Sequence, residues 1–178
     1  PWENINRSDV IILTKYNLRS DNSYLLKKLK NTNKTVIKAQ LISQLSSLYN
    51  QSDLDFNKLI KKLAFVFAGI GDTKSLIKSI NKLGVKISGT KFFKDHHLYN
   101  ETDLNNIYIE AKKVNAKYLI TTEKDWVKTQ SFMIDFPIII LNASFKIESE
   151  SQLNKLIDQR ISDFISETSP KQTQPQQK

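Results

Sequence analysis

A chain of 178 residues, 39% hydrophobic and 25% charged, has the make-up of a soluble globular protein with enough length for one ordinary domain and its core. It contains no cysteine, which excludes disulfides, thiolate metal sites and a cysteine nucleophile, and no apolar run approaches the ~18–20 residues of a membrane span. The net charge is +9, and of the 27 basic residues three are arginine (Arg7, Arg19, Arg160), which leaves 24 lysines; scarce arginine and no basic run interleaved with aromatics argue against nucleic acid, and leave a lysine-rich solvated surface or an anionic partner such as a membrane leaflet or a phosphorylated lipid.

Taken in order, Ser8 to Lys15 reads as a buried strand that ends in a polar turn. Asp21 and Asn22 can cap a short helix through Lys30, and Thr35 to Ile42 reads as a second strand. Residues 43–57 show no clear period and are expected to be a connector. Leu63 to Ala68 is a continuous apolar run, the form a parallel strand takes when helices cover both its faces. It stops at Gly69-Ile70-Gly71-Asp72, where Asp72 or Thr73 caps a helix to about Leu83, with Gly84 as its C′ residue. Val85 to Phe93 is the next strand. Asn100 to Asp103 opens a helix to about Asn115, Ala116 to Thr121 is a strand, and Glu123 to Lys128 turns into a short helix. Pro137 to Leu141 reads as a last parallel strand, with Ser144 to Ile147 a separate antiparallel edge. Glu150 to Ser166 closes the chain as a helix, and the Pro/Gln-rich residues 169–178 are expected to be a disordered tail.

Alternating strands and helices imply right-handed βαβ units: an α/β fold with a mostly parallel sheet and helices on both faces. Three polar β→α turns then fall at the carboxyl ends of neighbouring strands, on the edge where open α/β sheets place their sites. The first is Gly69-Ile70-Gly71, which can hold an anion on helix amides or be a tight turn that needs glycine. The second is Asp95-His96-His97, holding the chain's two histidines; a carboxylate beside an imidazole can fix its tautomer and raise its basicity. Two histidines make no metal site without further ligands, and none is expected in this chain. The third, Thr122-Glu123-Lys124-Asp125, offers a hydroxyl, two carboxylates and an ammonium, suited to a phosphate or sugar or to a capped helix start. No G-x-x-x-x-G-K-[ST] stretch occurs.

Phe67-Ala68-Gly69-Ile70-Gly71, Phe93 to Tyr99 and Thr121 to Lys128, in this order, resemble the signature of the tetraacyldisaccharide 4'-kinases, the lipid A 4'-kinases of Gram-negative bacteria. The likeness covers Asp9 to about Leu141. Asp72 and Thr73 stand where Asn-Pro is usual, Lys94 and Leu98 replace prolines, and Trp126 replaces a small residue. The resemblance implies the C-terminal lobe of a P-loop-type kinase that moves the γ-phosphate of ATP, with Mg²⁺, onto the 4' hydroxyl of a tetraacylated glucosamine disaccharide phosphate. It also implies peripheral attachment to the cytoplasmic face of the bacterial inner membrane. His96 would be the acid–base residue, paired with an aspartate of the N-terminal lobe, and Asp95 its orienting neighbour. Gly69, Gly71, Thr122, Glu123, Lys124 and Asp125 would contact substrate or phosphate, while ATP and Mg²⁺ would be held mainly by the N-terminal lobe.

The chain opens at Pro1 without a methionine and almost in mid-strand, which points to a piece of a longer protein whose missing part lies upstream. Residues 1–42 are then the end of a preceding lobe or the first strands of the α/β lobe, 43–57 a connector and 58–168 the lobe itself. Such a fragment is expected to be inactive alone. Two other readings compete: a non-enzymatic α/β remnant of a split gene, and a phosphoesterase that binds metal through Asp95-His96-His97 with Asp53-Leu54-Asp55 as a second acidic element.

Overall fold

The computed structural model describes residues 2–19, 21–49, 56–132 and 135–168. In chain order the strands are β1 (Val10–Leu13), β2 (Thr35–Tyr49), β3 (Leu63–Ala68), β4 (Lys86–Phe92), β5 (Tyr118–Thr122) and β6 (Ile138–Ile147). The helices are α1 (Ser23–Lys30), α2 (Phe56–Leu59), α3 (Thr73–Lys82), α4 (Glu101–Lys113), α5 (Glu123–Thr129) and α6 (Glu150–Thr168). Among the described residues no helix is long and apolar enough to cross a membrane.

The chain forms two compact units, one of Leu41–Phe145 and one of Pro1–Gln40 with Lys146–Lys178. In the larger unit β3 pairs in parallel with both β4 and β5, and β5 pairs in parallel with β6. Side chains alternate across the sheet, and each face has its own core. Phe65, Phe67, Leu119, Ile138 and Ile140 pack with Leu104, Ile107 and Ala111 of α4. Ala64, Val66, Ala68, Tyr118, Ile120, Ile139 and Leu141 pack with Leu76 and Ile80 of α3. Burial on both faces is why β3 reads as an unbroken apolar run. The helices end and begin as their sequences require. The Asp72 side chain accepts from the Ser75 amide to cap α3. Gly84 takes φ +77 just past its end, a conformation that a Cβ disfavours. Asn100 and Asp103 form a reciprocal capping box at the start of α4.

Two expectations are corrected. Residues 43–49, expected as connector, continue β2, and residues 138–147 form one strand rather than two. The serine-rich stretch of β2 has little apolar pattern, so its strand form follows from its neighbour, where the Ser46 hydroxyl donates to the Ile140 carbonyl at 3.4 Å. No glycine or proline interrupts β6 at Asn142-Ala143, so the ladder runs through. Residues 50–55, and the 169–178 tail, lie outside the described residues.

In the smaller unit β1 pairs in parallel with the first residues of β2, and the Glu148 amide donates to the Lys38 carbonyl. The closing helix α6 forms as its pattern predicts. It buries only Leu153, and Ile157, Ile161, Phe164 and Ile165 stay exposed.

Candidate active site

Register decides where the polar turns fall. Ala68 of β3 lies opposite Phe92 of β4, and Val66 opposite Ile120 of β5. The three strands therefore run out together, and the Phe93 amide still donates to the Ala68 carbonyl at 2.9 Å. Gly69, Lys94 and Glu123 leave the sheet side by side, on one edge of one unit.

The edge has a buried and an exposed layer. In the buried layer the Asp125 carboxylate is wholly inaccessible to solvent. Its Oδ2 accepts from the Gly69 amide at 3.1 Å and from the Thr122 hydroxyl at 2.7 Å. Thr122 in turn caps α5, its oxygen accepting from the Asp125 amide at 3.2 Å. A Cβ on Gly69 would lie 3.2 Å from Asp125 Oδ1, 3.2 Å from the Tyr99 hydroxyl and 3.3 Å from the Lys94 carbonyl. Glycine is thus favoured here by close approach, since a side chain would push these neighbours aside. Burial, reinforced by the Asp125 charge, pushes the Tyr99 phenol well above its ordinary range, so it stays protonated as a donor.

In the exposed layer Lys124 Nζ donates to Asp95 Oδ1 at 2.7 Å. This hydrogen bond is the main cause that holds the Asp95 carboxyl below its ordinary value. The His96 amide also donates to Asp95 Oδ1, at 3.0 Å. The His96 ring does not hydrogen-bond to that carboxylate, since Nε2 and Oδ2 are 3.9 Å apart. The His96 side chain is 80% exposed, and its backbone sits at φ +62, a left-handed conformation uncommon outside glycine. Gly71 lies nearby, a Cβ there falling 3.9 Å from Asp95 Oδ2. Glu123 is exposed in the first turn of α5.

The two histidines have different surroundings. His97 is half-buried, stacked on Phe93 with ring centres 4.4 Å apart and edge-on to Tyr99. Its Nε2 lies 2.9 Å from Asp103 Oδ2, and Lys128 Nζ donates to its carbonyl at 3.2 Å. The hydrogen-bonded imidazole–carboxylate pair is therefore His97–Asp103, not His96–Asp95. Sequence reasoning placed Asp103 only as a helix-start residue, although the capping box that aims its carboxylate back toward His97 was visible as Asn100-x-x-Asp103. Tyr99 belongs to the same Phe93–Tyr99 stretch, in which the residues alone assign the phenol no role.

The edge thus joins Gly69, Thr122 and Asp125 in one group and Asp95, Lys124 and His96 in another. The family model for Tetraacyldisaccharide-1-P 4'-kinase matches residues 1–162. The chain belongs to this family. The tetraacyldisaccharide 4'-kinase of Chlorobaculum tepidum is 35% identical over 128 residues, which is 72% of this chain and 36% of that protein. That of Rickettsia canadensis is 33% identical over 125 residues, 70% of this chain and 38% of that protein. Among solved structures, LpxK from Aquifex aeolicus in complex with ATP superposes with a TM-score of 0.52 at 25% identity, covering 89% of this chain and 44% of that one. The chain spans just over a third of the length of the curated 4'-kinases it matches.

No three His, Asp or Glu side chains among the described residues are grouped to hold a metal ion, and the sequence has no Walker A stretch. Among the described residues, the Gly69 amide is taken internally by Asp125 and the start of α3 by Asp72. Asp53 and Asp55 lie outside the described residues.

Proposed function

We propose that this chain is the part of a tetraacyldisaccharide 4'-kinase that presents an acid–base edge to the acceptor sugar, while ATP and Mg²⁺ are held by residues outside it. The observation that carries this reading is the convergence of Asp95, His96 and Lys124 at one strand-end edge of a chain matched by the family model over residues 1–162. His96 is the acid–base residue. Its ring is open to solvent and makes no hydrogen bond to the Asp95 carboxylate 3.9 Å away, so it is available to a carboxylate and a substrate hydroxyl supplied from beyond this chain. The Lys124–Asp95 pair lies beside His96 on the same loop edge, and Lys124 adds positive charge where an anionic sugar phosphate approaches. The acceptor is the 4' hydroxyl of a tetraacylated glucosamine disaccharide phosphate, met at the cytoplasmic face of the bacterial inner membrane, and the lysine-rich surface favours an anionic leaflet.

Phosphoryl transfer requires amides and a lysine around the phosphates and carboxylates on the metal, and none of the described clusters supplies them. The isolated 178-residue chain is therefore expected to show no ATP-dependent phosphorylation of tetraacyldisaccharide 1-phosphate. Turnover by the purified chain would refute this division of labour. The protein as its gene encodes it should phosphorylate that acceptor if it includes a P-loop; a P-loop-bearing gene product without such activity would support the non-enzymatic reading instead.

A further inference from the structure

An exposed ion pair does not by itself hold a catalytic group in place, because solvent screens it and both side chains are long. Lys124, Asp95 and His96 are all exposed, yet they share the strand-end edge with the buried carboxylate of Asp125. That carboxylate joins two of the three turns of the edge. It accepts from Gly69 at the end of β3 and from Thr122 at the start of α5. Its second oxygen, Oδ1, is buried and has no other hydrogen-bond partner. The Tyr99 hydroxyl, also buried and otherwise unpartnered, lies with it against Gly69. A protonated phenol and a carboxylate oxygen are complementary as donor and acceptor, and the Asp125 carboxylate contributes to holding the Tyr99 phenol protonated. Tyr99 packs edge-on against both Phe93 and His97, the residues that flank Lys94, Asp95 and His96.

We propose that Asp125 is a positioning residue: its buried carboxylate binds Gly69, Thr122 and Tyr99 into one knot, and through them sets Lys124, Asp95 and His96 in the arrangement the transfer uses. The inference rests on the kinase reading for its purpose but not for its geometry. It accounts for three features at once. Gly69 suits the position because a methyl group there would crowd Asp125 Oδ1 and the Tyr99 hydroxyl, each 3.2 Å away. A buried carboxylate is tolerated because donors surround it. Lys124 reaches Asp95 because it is the residue next to the one that is anchored.

The test uses the 178-residue chain with labelled side chains, and reads the Asp95 carboxyl titration and the His96 ring signals by NMR. Lys124→Gln is the positive control and should return the Asp95 titration to its ordinary range. Asp125→Ala should do the same in the folded chain, although residue 125 does not touch Asp95. Tyr99→Phe, which keeps volume and removes only the hydroxyl, covers the case in which Asp125→Ala fails to fold; it should shift the His96 ring signals and partly release Asp95. A folded Asp125→Ala chain, or a Tyr99→Phe chain, with unchanged Asp95 titration and His96 signals overturns the proposal and leaves Asp125 a residue of stability alone. In a protein that phosphorylates the acceptor, Tyr99→Phe should lower kcat about 10-fold with KM for ATP unchanged. Absence of any activity in the wild type would count against the kinase reading, while the NMR result would still decide the positioning role.

Discussion

Two layers of polar side chains occupy the same edge of the sheet and are held by opposite means. Beneath, Asp125 sits out of water and is tied by the Gly69 amide and the Thr122 hydroxyl, with the Tyr99 phenol beside it. Above, Asp95, Lys124 and His96 lie in solvent, joined by one ion pair and one backbone hydrogen bond. Buried polar groups are costly to leave unpaired, whereas exposed pairs exchange readily with water. The difference teaches that geometry is fixed where water is excluded and chemistry is presented where it is not. His97 belongs with the lower layer, held by Asp103, Phe93 and Tyr99, and His96 with the upper.

Substitutions can break this contrast, and the largest effect on stability is expected from the lower layer. Asp125→Ala strands the Gly69 amide and the Thr122 hydroxyl and should cost about 2–4 kcal/mol in urea unfolding; a loss below about 0.5 kcal/mol would mean that the carboxylate is not a structural tie. His97→Ala removes a half-buried hydrogen bond and a ring stack and should cost about 1–2 kcal/mol. Lys124→Gln should leave the melting temperature unchanged within error while releasing the Asp95 carboxyl; a clear fall in melting temperature would place Lys124 with the buried layer.

The smallest effects are in pH dependence, and the two layers should respond at opposite ends of the scale. Asp95 is held below its ordinary value of 3.8 chiefly by the Lys124 hydrogen bond. The stability this contributes is fully present above 3.8 and is lost as pH falls through the lowered folded value. Lys124→Gln should abolish that acid-side loss in a urea series taken from about pH 5 to about pH 2. Tyr99 is raised above its ordinary 10.0, mainly by burial. Its contribution is therefore present below pH 10.0 and is lost as pH rises above it, when the unfolded chain ionises and the folded chain does not. Tyr99→Phe should remove this alkaline loss, and an unchanged alkaline profile would contradict the buried, protonated phenol.

Much of this organisation was legible in the residues. Leu63 to Ala68 announced a strand covered on both faces, Asn100 and Asp103 announced a helix start, and the order of strands and helices placed three turns on one edge. The residues that join those turns were harder to see. From the residues alone Asp125 is a helix-start carboxylate or a substrate contact, and its burial against Gly69, 56 residues away, is invisible. Asp95 looked like the partner of His96 because they are adjacent, yet adjacent side chains on a turn need not face each other, and Lys124, 29 residues away, takes the carboxylate instead. The serine-rich part of β2 has no pattern of its own and is a strand only because β6 lies beside it. In each case the missing information was a long-range contact rather than a local preference.

The central claim is that His96, and not its better-anchored neighbour His97, handles the proton of the acceptor hydroxyl. The direct measurement is 4'-phosphorylation of tetraacyldisaccharide 1-phosphate by the protein as its gene encodes it, comparing wild type, His96→Ala and His97→Ala with melting temperatures measured alongside. The account predicts that His96→Ala lowers turnover by about 10²-fold or more with the melting temperature unchanged, and that His97→Ala lowers stability more than it lowers turnover per folded molecule. Full turnover in His96→Ala, or a larger loss per folded molecule in His97→Ala, would contradict it.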